Sequence, residues 1–238
     1  MSRTVQSDGL IVARQAREPN LVYFARVLDL GTGDGRLLAA VLASHPGVTA
    51  GVGLDMSPPM LAAARERFQE EPRVVVVRHN MDECLPVAGL LAVADAAHTA
   101  ARASVSDDAA EVTTGNARGT TGTAAMAARP FDVILSSFTI HHLSDSRKRA
   151  AYAEAAEALL APGGTFINMD LVASPTPALH AAFLAALGLA EDDPSDVLAP
   201  VADQLGMLRD AGLTDVDCYW KWREIAVLAG RKPGAGEA

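Results

Sequence analysis

Three short runs carry the residues of this chain best suited to chemistry. The first, Val27 to Gly35 (V-L-D-L-G-T-G-D-G), places Asp29 just ahead of three alternating glycines, Gly31, Gly33 and Gly35. Glycine lets the backbone take positive φ and lets a ligand approach the amides without meeting a Cβ. A strand that runs into such a turn and then into a helix N-terminus makes a nucleotide-sized cradle. The second is Asp55, which ends the apolar run Val48 to Leu54, 20 residues beyond Gly35. A carboxylate there can accept hydrogen bonds from both hydroxyls of a ribose. The third is His141-His142, one turn beyond Ser136 and Ser137. Imidazole accepts a proton near neutral pH, so either ring is a candidate to activate a hydroxyl or carboxyl group, His142 ahead of His141.

The elements that must hold these residues alternate along the chain. Short apolar runs at Val27 to Leu30, Val48 to Leu54, Arg73 to Arg78, the stretch opening at Phe131, and Thr165 to Val172 read as buried strands. Helical patterns separate them: Arg36 to Ser44, a Pro58-Pro59 start continuing to Gln69, and Asp145 to Leu160, ended by Pro162-Gly163-Gly164. Such alternation predicts a mostly parallel sheet covered on both faces, with ligands beyond the carboxyl ends of the strands. Helices at Ala178 to Leu187 and Val201 to Ala211 follow, the acidic run E-D-D-P-S-D lying between them. Asp215 to Lys221 and Glu224 to Ala229 are too close together for a crossover and predict an antiparallel pair, its Tyr219, Trp220 and Trp222 serving strand packing. Residues 1–26 are weakly patterned, with helical turns at Leu10 to Ala16 and Leu21 to Arg26. From Val87 to Arg129 the composition shifts to Ala, Thr, Gly and Ser, and the tract reads as an inserted, largely disordered segment that has room for an Ala-rich helix over Leu90 to Arg102.

Composition narrows the function classes. A net charge of -9 argues against broad capture of nucleic acid, which needs Lys and Arg against phosphates. Arg147, Lys148 and Arg149 form a short basic run that reads as a solvated helix face. The two cysteines, Cys84 and Cys218, have no CxxC company, so neither a disulfide framework nor a Cys-rich zinc site is expected, and no metal is. Without an apolar leader or a membrane-length apolar run, the expected location is cytoplasmic.

The glycine run is not the dinucleotide fingerprint, because Arg36 stands where GxGxxG needs its last glycine, which weakens a nicotinamide reading. Its acidic-x-GxGxG spacing resembles motif I of class I S-adenosylmethionine-dependent methyltransferases. The run F-D-V-I-L-S-S-F-T-I-H-H-L resembles motif IV, L-x-P-G-G is a further family feature, and the C-terminal wording is similar to the type 11/12, ubiquinone-methylase-like branch. The resemblance implies a Rossmann-like α/β fold, a seven-stranded sheet closed by an antiparallel C-terminal hairpin, over residues 27–233, with a tail at 234–238. It implies S-adenosyl-L-methionine as cofactor and a small-molecule methyl acceptor, with methyl transfer to O or N ahead of C. Asp29, Gly31, Thr32, Gly33 and Gly35 would hold the methionine portion, Asp55 the ribose, and Asn80 or Asp82 the adenine, with Met56 and Met81 beside it. Ser136, Ser137 and His142, with His141, would line the transfer site. Family members carry a longer N-terminal segment than the 26 residues here. A non-catalytic S-adenosylmethionine-binding subunit and a tRNA methyltransferase are the alternatives.

Overall fold

A computed structural model describes residues 25–109 and 129–237. The helical turn expected at Leu10 to Ala16, most of the one at Leu21 to Arg26, and the second half of the Ala-rich tract, 110–128, lie outside these; Ala25 and Arg26, expected to end the second turn, open a strand instead. Strands β1 (Ala25–Leu30), β2 (Val48–Asp55), β3 (Val74–Arg78), β4 (Phe131–Ser137), β5 (Leu160–Leu171), β6 (Thr214–Trp222) and β7 (Ile225–Arg231) form one sheet in the order β3-β2-β1-β4-β5-β7-β6. The first five are parallel, and β7 runs antiparallel between β5 and β6, as the short Arg223-Glu224 connection requires. The expected seven-stranded sheet with an antiparallel hairpin is therefore present.

Side-chain alternation builds two cores from one sheet. On one face Leu28, Leu30, Val52, Leu54 and Ile134 pack with Leu90, Tyr152 and Leu208. On the other, Val27, Leu135, Ile167 and Val227 pack with Leu38, Leu42 and Phe68. Trp220 joins the second layer, whereas Trp222 is exposed and meets Phe183 edge-on at 6.2 Å between centroids. The covering helices are α1 (Arg36–Ser44), α2 (Pro58–Arg67), α3 (Val87–Ala109), α4 (Asp145–Glu154), α5 (Pro177–Leu187) and α6 (Val201–Asp210). A π-helical turn, Ala155–Leu159, extends α4 directly into β5, which begins earlier than the expected Thr165.

Helix α3 corrects the reading of the Ala-rich tract. Residues expected to begin an insertion at 87 instead form a helix of 23 residues packed on β2 and β3. Its stripe of Leu90, Ala94 and Ala97 is buried, at 1%, 0% and 2% exposure. Average composition misled because alanine, poor in apolar area, is the best helix former and lets a helix lie close to a sheet. Arg26 clamps this helix to β1. Its buried guanidinium pairs with Asp95 at 2.8 Å, donates to the Leu91 and Arg129 carbonyls, and loses basicity to burial.

The basic run at the start of α4 is also different from a solvated face. Arg147 makes a two-pronged pair with Glu154 at 2.7 and 2.8 Å and donates to the Met81 carbonyl. Lys148 is wholly buried, its ammonium donating to the Leu143 and Val197 carbonyls and to Asp145. Arg149 alone is exposed, paired with Asp210. Cys84 is exposed.

Candidate active site

Sheet order reverses between β1 and β4, both of which neighbour chains leading in opposite directions, so a crevice opens at their carboxyl ends. The glycine turn lies there. Gly31 takes φ +75, and a Cβ on it would come within 1.9 Å of the Thr139 hydroxyl, so the loop after β4 closes directly on this glycine. Gly33 takes φ +55 with nothing within 4 Å of where its Cβ would stand. That open space is the cradle. Gly35, left-handed at φ 81, then starts α1.

Two carboxylates brace the loop. Asp29 is 1% exposed; its Oδ2 accepts from the Thr32 hydroxyl at 2.8 Å, and its Oδ1 has no partner among the described residues. Burial raises its pKa to about 7, helped by the nearby Asp55 charge and opposed by the Thr32 hydrogen bond. A buried carboxylate oxygen unpartnered among the described residues has capacity for one further donor. Asp55 accepts from the Gly33 amide with Oδ2 and from the Ser57 amide with Oδ1, each at 2.8 Å. Each oxygen keeps a lone pair for a ligand hydroxyl. At the neighbouring strand end, Asn80 accepts from the Asp82 amide at 3.1 Å; Asp82 and Met56 are exposed, and Met81 is packed into the core. These residues fit a nucleoside carrying a cationic side arm.

The end of β4 supplies the other wall. Ser136 is buried and spends its hydroxyl on the Leu30 carbonyl at 3.1 Å, which ties β4 to β1. Ser137 offers its carbonyl to the Thr139 hydroxyl at 3.0 Å. Phe138 is held at φ 49, a conformation costly for a non-glycine residue, and turns an exposed ring outward. It borders a pocket of about 360 Å³ whose apolar wall includes Leu171, Phe183, Leu187 and Leu198. Phe138 thus borders the pocket, while Thr139, the next residue, packs on Gly31 of the glycine turn.

The histidines sit in a 3-10 turn, Ile140–His142, on the pocket's edge. His141 is 4% exposed: its amide donates to Asp170 Oδ2 at 2.9 Å, and its Nδ1 meets Asp170 Oδ1 at 2.5 Å. Its Nε2 faces Asp196 at 3.4 Å. His142 is largely exposed, its Nδ1 near the Ser195 hydroxyl at 3.1 Å and Asp196 at 3.4 Å. Of the two rings, only His141 is oriented by a buried carboxylate. Behind Asp170, Asn168 donates to the Tyr152 hydroxyl at 3.2 Å, which donates to Gln204 at 2.8 Å. Burial raises the Tyr152 pKa far above its usual value, keeping the phenol protonated. Across the pocket, His180 joins Glu224 at 2.8 Å to Asp192 at 2.9 Å, and these carboxylates raise its pKa.

Residues 28–166, more than half of the chain, match the family model for a methyltransferase domain. The chain belongs to that methyltransferase family. No curated protein matches it by sequence. Among solved structures it is similar to the S-adenosylmethionine-dependent methyltransferase SibL in its apo form, at 21% identity and TM-score 0.60, over 96% of this chain and 55% of that one. An O-methyltransferase family protein from Burkholderia thailandensis gives 22% identity and TM-score 0.60, over 89% and 52%. YcgJ from Bacillus subtilis gives 18% identity and TM-score 0.60, over 95% and 98%. The methyltransferase chain therefore spans about half the length of the first two. At these identities the likeness concerns the fold.

Sequence reasoning did not single out Asp170, Asp196, Thr139 or Phe138. Asp196 was visible only within an acidic run, and Asp170 only as a charge inside an apolar strand, a signal that on its own marks a buried polar group with a partner elsewhere.

Proposed function

We propose that this chain transfers the methyl group of S-adenosylmethionine to a small acceptor with an apolar body, at oxygen or nitrogen. The observation that carries the reading is the buried Asp29 two residues ahead of a glycine turn that is open at Gly33, with Thr139 packed on Gly31 and its neighbour Phe138 bordering the pocket. When bound, S-adenosylmethionine supplies an electrophilic methyl on a positively charged sulfur.

The chain's residues do the rest by positioning and by handling one proton. Asp29 and the Gly31-to-Gly35 loop hold the cationic methionine portion, Asp55 the ribose, and Asn80, with Asp82 as the second candidate, the adenine. The acceptor's apolar body lies against Phe183, Leu187 and Leu198, which exclude water from its reacting atom. His141 Nε2 takes the acceptor's proton. Support for that role comes from Asp170, which fixes the opposite ring nitrogen, and from the flanking Asp170 and Asp196 carboxylates, which stabilise the imidazolium. His142, exposed at the rim, contributes to acceptor contact.

Calorimetric titration with S-adenosylmethionine, S-adenosylhomocysteine and NAD in parallel tests the proposal. Both adenosyl ligands are expected to bind one to one and NAD not at all. Asp55→Ala should weaken adenosyl binding by about 2 kcal/mol or more, roughly 30-fold, through lost charge-assisted hydrogen bonds. Absence of adenosyl binding by the native chain refutes the function, and full affinity in the variant refutes the ribose assignment.

A further inference from the structure

Two imidazoles and a carboxylate converge at the rim of the pocket more closely than proton transfer requires. We propose that His141 Nε2, His142 Nδ1 and Asp196 Oδ1 form a binding site for one divalent transition-metal ion of the zinc class. Asp196 Oδ1 lies 3.4 Å from each ring nitrogen, and all three atoms fall within 4.8 Å of one another. Ligand atoms held about 2.0–2.2 Å from a tetrahedral ion stand about 3.3–3.5 Å apart, so two edges of the triangle already have the required length. The exposed His142 ring closes the third by rotation.

Three further features belong to a built site rather than to a chance ion pair. Asp170 holds Nδ1 of His141 at 2.5 Å, which fixes the ring with Nε2 toward the ion, the arrangement found behind metal-bound histidines. Asp196 is held in place through the next residue, because the Val197 amide donates to the His141 carbonyl at 2.8 Å and its carbonyl accepts from buried Lys148. Three carboxylates, Asp170, Asp193 and Asp196, surround the two imidazoles, Asp193 near enough for its charge to feel both rings. A dication offsets this excess of negative charge. Two nitrogens and one oxygen select zinc, cobalt or nickel over magnesium or calcium. With three protein ligands and a pocket beside them, a coordination position is left for a ligand from outside the chain. An ion on Nε2 occupies the lone pair that would receive a proton, so metal loading and use of His141 as a base exclude each other.

The test is titration of the untagged, chelator-treated full chain with Co2+, followed by visible absorption, with Zn2+ as competitor. One equivalent of Co2+ should give the intense bands of a low-coordinate nitrogen site, and Zn2+ should abolish them. His142→Ala and Asp196→Asn should each weaken binding by about tenfold or more, and His180→Ala should leave it unchanged. A spectrum no different from aqueous cobalt, or undiminished binding in both His142→Ala and Asp196→Asn, overturns the proposal. Each protein is also titrated with S-adenosylmethionine. Failure of that ligand alone would count against the methyltransferase reading and leave the metal site standing.

Discussion

Asp29→Asn should leave the ligand-free chain close to the native stability at pH 5 and make it more stable at pH 8. The native carboxyl is buried in the middle of the sheet, with one oxygen on Thr32 and the other unpartnered. Burial lifts its pKa from 3.8 to about 7 in the folded state. Between about pH 4 and pH 7 the folded chain therefore holds a proton that the unfolded chain has released, so stability falls as pH rises through this window. Three pKa units correspond to about 4 kcal/mol, an upper bound reached only above pH 7, when the buried group is forced to ionise. In the variant the amide oxygen still accepts from Thr32, and its NH2 group takes the unpartnered position, which costs about 1–3 kcal/mol at any pH. The native chain has given up about 1.6 kcal/mol by pH 5 and about 4 kcal/mol by pH 8, so the variant ends ahead by about 1–3 kcal/mol at pH 8 and lies within about 1.5 kcal/mol of the native chain at pH 5. Urea unfolding of both proteins at the two pH values, without ligand, measures this, since titrating groups other than Asp29 and its neighbour Asp55 cancel in the comparison. A stability difference of the same sign and size at pH 5 and pH 8 would refute the claim that Asp29 is held neutral by burial.

Two glycines of the same loop should separate folding from binding. Gly31→Ala drives a Cβ into Thr139 and is expected to lower the melting temperature sharply, whereas Gly33→Ala meets no atom of the chain and costs about 1–2 kcal/mol for its left-handed backbone. Gly33→Ala should nonetheless lose most S-adenosylmethionine affinity in calorimetry, because its new methyl enters the cradle; retained affinity would show that the ligand does not lie there. Leu90→Ala, in the tract that composition alone marks as filler, should cost about 2–5 kcal/mol in denaturant unfolding. A change below about 0.5 kcal/mol, the level of an ordinary surface substitution, would mean that α3 is not part of the core.

What the sequence determined about this chain is everything carried by local pattern. Short apolar runs, glycine at alternate positions and helix-ending Pro-Gly-Gly need only neighbours along the chain, so the strands, the glycine turn and the terminal hairpin were legible. Helix α3 was legible only as an option at Leu90 to Arg102, and its place in the core was not, because the buried stripe of Leu90, Ala94 and Ala97 is diluted by small residues and shows its value only against the sheet. The basic run at α4 failed for the same reason: Lys148 is buried because carbonyls from Leu143 and Val197, far apart in sequence, converge on its ammonium. Tertiary structure alone decided the surroundings of the two histidines. Adjacent in sequence, they differ because β5 delivers Asp170 to one ring and leaves the other at the pocket's edge, and because the turn beyond α5 brings Asp196 within reach of both.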